Sequence, residues 1–425
     1  MSAAATTPSV ARDGLLRVEG RLVLDDGIHE GAVLIDRATG LIAAIEEVRG
    51  DSDLDTQGCL IFAGFGDIHI HAREDASGTQ TYKEDFRTAS AAAVHGGVVH
   101  VADMPNNPVA PVDDARYAQK ELLAASSEVH VTLYAGIGPG TSPLTRHVPY
   151  KAFMGPSVGD LFFRSQAQLE EAIARYKGCN VSFHCEDPET LDAHRNEATH
   201  EERRPALAEL AATEFALYLI EKHDLTGKLC HYSTRDGLPK ILAAKARGLR
   251  VTAEVTPHHL FFDTSMLNDS NRLALQMNPP LRSPADRLSL IEALRVGEID
   301  YLATDHAPHT LEEKARGVSG IPHLDTYGAF TTWLMLEHDF TPQQIARCCA
   351  VNPGRFVNEF LPVSFGNGFG RLGRGYAGSL TILDTQTPTR VTRAEQRTRC
   401  GWSAFEGFTF PGSVRAAVVM GKILR

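Results

Sequence analysis

Short apolar runs recur through the middle of the chain, at residues 68–71, 98–104, 129–137, 150–154, 181–185, 228–232, 251–255 and 299–304. They are too short for buried helices and predict strands covered on both faces. Between them, at 82–95, 113–126, 166–176, 205–223, 238–247 and 284–296, apolar residues return at helical spacing. Eight strands with intervening helices are the count of an α/β (β/α)8 TIM barrel, here assigned to residues 63–365. The stretch 260–281 reads as loop.

The two ends follow a different rhythm. Short strands punctuated by Gly and Asp fall at 15–18, 21–24, 32–35 and 41–45, and again at 379–384 and 414–420. This predicts one small composite β-sandwich built from residues 14–62 plus 366–425. Residues 1–13 are small and polar, read as a disordered tail without the apolar stretch of a signal peptide.

Composition narrows the partners. With 43% hydrophobic and 22% charged residues the chain is ordinary globular material, and no apolar run approaches a membrane span. A net charge of −11 argues against nucleic acid or an acidic membrane as partner. Seven cysteines without a Cys-x-x-Cys spacing argue against a disulfide framework and a structural zinc cluster. Reduced core thiols and a cytoplasmic location follow as expectations.

A barrel places its chemistry at the carboxyl ends of its strands, and the polar residues there are informative. His69 and His71 stand two apart on the first strand, so both imidazoles point to one face. Lys151 interrupts the fourth strand, where a buried ammonium is costly. It either reaches water, has lost its charge, or has reacted with carbon dioxide to give a carbamate able to bridge two metals. His184 and His231 end the fifth and sixth strands, and Asp305 ends the eighth, beside the first in a closed barrel. Singly, His184 and His231 each read more readily as a hydrogen-bonded core histidine than as a ligand. Together, six such groups at strand ends suit a binuclear Zn²⁺ centre, with Mn²⁺ or Co²⁺ as alternatives. Two metals acidify a bridging water and so imply hydrolysis. No Gly-x-Ser-x-Gly, His-Glu-x-x-His or phosphate-loop motif competes. His258 and His259 are read as structural, and His306 as turned away from Asp305.

With these residues in place, the chain resembles the amidohydrolase superfamily over nearly its full length and, within it, the dihydroorotases. The resemblance is carried by Asp67-Ile68-His69-Ile70-His71-Ala72-Arg73-Glu74, Met104-Pro105-Asn106-Asn107, Lys151-Ala152-Phe153-Met154-Gly155, His184-Cys185-Glu186-Asp187, Asn278-Pro279-Pro280-Leu281-Arg282 and Thr304-Asp305-His306-Ala307-Pro308-His309-Thr310. Departures from common family continuations, such as Asp75-Ala76 after Glu74 and His323 after Pro322, touch no expected ligand.

The resemblance implies reversible closure of N-carbamoyl-L-aspartate to L-dihydroorotate in pyrimidine synthesis. One metal would take His69, His71, carbamylated Lys151 and Asp305; the second would take Lys151, His184 and His231. Arg73 and Asn106 would hold the substrate carboxylate, with His309 and Asn278 assisting, and Asp305 would shuttle the proton. The positive metal core and the planar Arg73 guanidinium suit a small anion. Two Zn²⁺ per chain, a homo-oligomer (dimer or tetramer) and association with other pyrimidine-pathway enzymes complete the implied picture. Residues 155–160 and 311–325 are lid candidates. The alternatives are another cyclic amidase, a dihydropyrimidinase (hydantoinase) or allantoinase, and a non-catalytic scaffold partner of aspartate transcarbamoylase.

Overall fold

A computed structural model describes residues 14–156 and 161–425. The expected tail (1–13) and residues 157–160 of the first lid candidate lie outside the described residues. The protein is a TIM barrel joined to a small β-sandwich made by the two chain ends. No helix among the described residues is long and apolar enough to cross a membrane.

The parallel barrel strands are, in order, Phe65–Ile70, Val98–Asp103, His130–Leu133 continued by Ala135–Ile137, Tyr150–Phe153, Asn180–His184, Thr226–Leu229, Val251–Val255 and Tyr301–Leu302. The third strand breaks at Tyr134: its first half pairs with the second strand and its second half with the fourth. Closure comes from the His71 N–H, which donates to the His306 carbonyl at 2.8 Å. Asp67 reinforces the seam. Its buried carboxylate accepts the backbone N–H groups of His69 (3.2 Å) and Thr304 (3.1 Å) as well as the Thr304 hydroxyl. First and eighth strands are thereby locked in register, which places Asp305 beside His69 and His71.

Helix boundaries follow local chemistry. The first helix is Phe86–His95, shorter than the 82–95 expected, because Asp85 caps it by accepting the Thr88 N–H while Thr88 returns the bond. Pro284–Val296 matches its expected bounds, opened by a Ser283 capping box and closed by Gly297 at φ +90°. One helix was invisible to the hydrophobic pattern. Tyr327–Glu337 follows the eighth strand, and its first eight residues, Tyr327 to Leu334, are all buried. A helix covered on every side has no amphipathic stripe to detect.

The sandwich sheet has seven strands, ordered Lys422–Ile423, Ser413–Val419, Leu380–Asp384, Leu60–Ala63, Leu15–Leu24, Gly27–Asp36 and Ile42–Glu46. Alternation divides its residues between two cores. Ile61, Leu380, Ile382 and Val418 join Leu16 and Val33 inside the sandwich, whereas Leu60, Phe62, Val414 and Ala417 join the barrel core. Thr381 is the joint: its hydroxyl accepts the Phe65 N–H (2.8 Å) and donates to the Gly97 carbonyl (2.6 Å). The C-terminal part is not all sandwich. The strand pair Thr389–Arg390 and Thr409–Phe410 forms its own small sheet. Between the two strands the chain runs to the barrel, where the Trp402 indole N–H donates to the His309 carbonyl at 2.7 Å.

Gly66 shows how tight the first strand sits. A Cβ added there would lie 1.9 Å from the buried His100 ring, which itself stacks on Phe369 at 4.4 Å. Gly66→Ala is expected to cost about 1–3 kcal/mol through overpacking, seen as a lower urea midpoint at unchanged slope.

Candidate metal centre

Eight of the ten residues singled out from the sequence line one buried cavity: His69, His71, Arg73, Asn106, His184, His231, Asn278 and Asp305. Lys151 and His309 stand outside its lining but touch the same machinery. Turns at strand ends make this convergence. Arg73 (φ +62°), His231 (φ +36°) and Asp305 (φ +48°) are three of the six described non-glycine residues in left-handed conformation. Such backbone costs about 1–3 kcal/mol per residue and persists only where surrounding bonds over-determine it. Here the strained turns swing side chains from the strand ends into the mouth.

The tautomers can be read from the partners. His69 donates its Nδ1–H to Glu254, and His71 donates its Nδ1–H to Asn106 Oδ1 at 2.7 Å. Both Nε2 atoms are then bare lone pairs, and both face the same Asp305 oxygen, at 3.2 and 3.0 Å. Lone pairs meeting at one oxygen repel unless a proton or a cation lies among them. A cation fits there. On the other side of the mouth, His184 donates Nε2–H to Glu186 (2.7 Å), leaving Nδ1 bare and 2.8 Å from His231 Nε2. The His69 and His231 rings are 5.3 Å apart, so the two halves are contiguous. Among the described residues, His69, His231 and Asp305 form one group of donor atoms able to share an ion, and His69, Cys230 and Glu254 form another.

Electrostatics keeps the donors ready. Burial first, and the Lys151 charge next, hold His69 well below its usual pKa; burial and then Arg73 do so for His71, and burial and then His184 for His231. Neutral imidazoles are what a divalent metal needs. Burial lifts the Asp305 carboxyl to about 7. Lys151 is fully buried, and its Nζ donates to Cys230 Sγ at 2.8 Å. Its charge acts on His69, His71, His184, His231 and Asp305 alike.

At the rim, Arg73 Nη2 donates to His309 Nε2 at 3.2 Å, while Nε and Nη1 are buried without a partner. His309 is backed by Glu313 (3.2 Å) on its other nitrogen. His309 therefore holds Arg73 in this arrangement. Asn278 Oδ1 is also buried and unpartnered.

A model of the amidohydrolase family matches residues 60–424. The chain belongs to the amidohydrolase family. Dihydroorotases from Thermococcus kodakarensis (33% identical; 96% of this chain and 94% of the relative), Geobacillus sp. (33%; 90% and 93%) and Pyrococcus furiosus (30%; 96% and 92%) are among its relatives. Its fold is shared with L-hydantoinase (dihydropyrimidinase) from Arthrobacter aurescens, at TM-score 0.85, 23% identity and coverage of 96% and 95% of the two chains. A D-hydantoinase aligns at TM-score 0.84 with 22% identity over 96% and 95%. The family implies a divalent metal, and the donor set of this amidohydrolase fits one.

Several residues that hold these histidines and Asn106 in place escaped the sequence reading. Glu254, on the seventh strand, accepts from His69 Nδ1, the His231 N–H (3.1 Å) and Lys228. Arg204 holds Glu186, which orients His184. Asp103 accepts the Ala72 N–H (2.7 Å) and pairs with Lys120 (2.6 Å), which in turn fixes Asn107. Glu254 carried the same signal as Lys151, a charged residue inside an apolar barrel strand. His306 is confirmed as turned away: it bonds Glu84 and accepts the His323 N–H. His259 bonds Thr256 and the Pro279 carbonyl.

Because Glu254 sets the His69 tautomer, Glu254→Gln should weaken metal binding by about 10–100-fold, measured by competition with a chromophoric zinc chelator.

Proposed function

We propose that this amidohydrolase is a dihydroorotase, interconverting N-carbamoyl-L-aspartate and L-dihydroorotate. The observation that carries the reading is Arg73, whose two buried, unpartnered nitrogens open onto the rim of the histidine cluster. Buried guanidinium N–H groups without acceptors are costly, and charge-assisted hydrogen bonds to a substrate carboxylate would offset that cost. The identity to dihydroorotases over nine-tenths of the chain supports the same substrate.

In this reading, His69, His71, Asp305 and a carbamate on Lys151 would hold one Zn²⁺, and the same carbamate with His184 and His231 would hold the second. Bound metals would polarise the ring amide carbonyl and acidify the attacking water. Carbamate formation joins the nitrogen of the Lys151 ammonium to the carbon of CO2 with loss of two protons. It removes the cost of a buried ammonium whose hydrogen-bond partner among the described residues is a thiol. Asp305 then does the proton work. In the hydrolytic direction the water oxygen bonds to the amide carbon, Asp305 takes the water proton, and the C–N bond breaks as that proton passes to nitrogen. Ring closure runs the same path backwards. Asn106, whose carbonyl is occupied by His71, keeps its amide N–H groups for the substrate carboxylate, and Asn278 Oδ1 is placed to accept a ring N–H. The catalytic unit is taken as residues 63–365, and assembly as a dimer or tetramer belongs to the same reading.

Arg73→Ala should lose about 2–3 kcal/mol of substrate binding, roughly 30–150-fold in kcat/KM for dihydroorotate. Uncharged dihydrouracil should be turned over more slowly than dihydroorotate by the parent enzyme; the reverse order would make the protein a dihydropyrimidinase.

Chelation should abolish activity, with zinc and bicarbonate together restoring it. Carbon-13 bicarbonate should give a carbamate resonance that Lys151→Ala lacks. An active enzyme without that resonance would remove the carbamate from the mechanism.

A further inference from the structure

Lys314 lies in the short helix Leu311–Ala315 and is only 2% exposed. Its Nζ donates to three backbone carbonyls, those of Gln276 (2.7 Å), Val318 (2.8 Å) and Gly320 (3.0 Å). An ammonium has three N–H donors, so every one is used. The carbonyls belong to two segments that meet over the metal cavity. Gln276 stands two residues before Asn278, and Ser319 and Gly320 line the cavity with it. The same segments are tied by the Gly320 N–H to the Gln276 carbonyl (3.0 Å) and by Gln276 Nε2 to Ser319 Oγ (3.2 Å). Leu275, Met277 and Ile321 share a separate apolar cluster with Trp402. Gly320 has no slack: a Cβ there would meet the Ala307 carbonyl at 2.7 Å.

We propose that Lys314 is a positioning residue whose ammonium staples the two segments roofing the substrate cavity, and that substrate affinity depends on that staple. The stapling stands on the geometry; the link to affinity rests on the dihydroorotase reading.

The charge state matters because a neutral amine has two N–H donors for three carbonyls. Burial lowers the Lys314 ammonium to about 7, while the three carbonyls favour the charged form. Among the described residues no compensating carboxylate stands against it. The Glu313 carboxylate turns instead to Tyr82, Lys83 and His309. His258, which feels the Lys314 charge, is itself kept neutral by burial. Deprotonation on raising pH therefore loosens the roof.

The test uses the full-length zinc-loaded enzyme. Lys314→Met should raise KM for dihydroorotate about tenfold while kcat changes less than about threefold, with Lys314→Arg recovering part of the loss. Hydrogen exchange at the Gly320 amide should accelerate in the Met variant. Should that variant not fold, the parent protein carries the test. Its Gly320 exchange, corrected for intrinsic rates, should accelerate between about pH 6 and pH 9 relative to helix Pro284–Val296. Unchanged KM and exchange in a folded Met variant, or flat corrected exchange in the parent, overturns the staple. A parent enzyme inactive on dihydroorotate overturns the functional reading and leaves the exchange result to decide this one.

Discussion

Two imidazole nitrogens, each left without a proton by a hydrogen bond on the far side of its ring, face a single oxygen of Asp305. The rest of the barrel mouth is arranged around that meeting of donor atoms, which suits a cation. Asp67 locks the first strand to the eighth, so that the three donors meet. Glu254 and Asn106 fix which nitrogen of each ring is bare. Burial removes the competing choice of protonating the histidines instead. The donors themselves come from strand ends far apart in sequence, held to one another by the parallel barrel.

Much of this was legible along the chain because a barrel converts sequence position into spatial position. A polar residue where an apolar run ends is a residue at the mouth, and His69, His71, His184, His231 and Asp305 were each found that way. Lys151 was found by its cost, as a charge inside a buried strand. The supporting carboxylates were harder to see. Glu254 hides between Ala253 and Val255, and its partners His69, Lys228 and His231 come from two other strands. A single strand read alone shows an oddity and does not show what resolves it. The buried helix Tyr327–Glu337 was missed for the opposite reason, having no polar face to mark its period.

The role of His309 was refined by its neighbours. The resemblance implied that His309 assists Arg73 and Asn106, and in the structure its Nε2 meets Arg73 and its Nδ1 meets Glu313. The rim is thus a relay in which a carboxylate sets a tautomer, the tautomer holds a guanidinium, and the guanidinium is left with two buried nitrogens that have no partner among the described residues. Lys83, also 3.1 Å from Glu313, offsets the carboxylate charge that would otherwise neutralise the rim.

The excursion of the C-terminal segment to the barrel has a consequence in time. Trp402 grips the His309 carbonyl, and Thr398 and Arg399 close on Glu84, which also holds His306. A ribosome delivers His69 and His71 long before it delivers these residues. The rim around His309 is therefore braced only once the C-terminal segment has folded back onto the barrel.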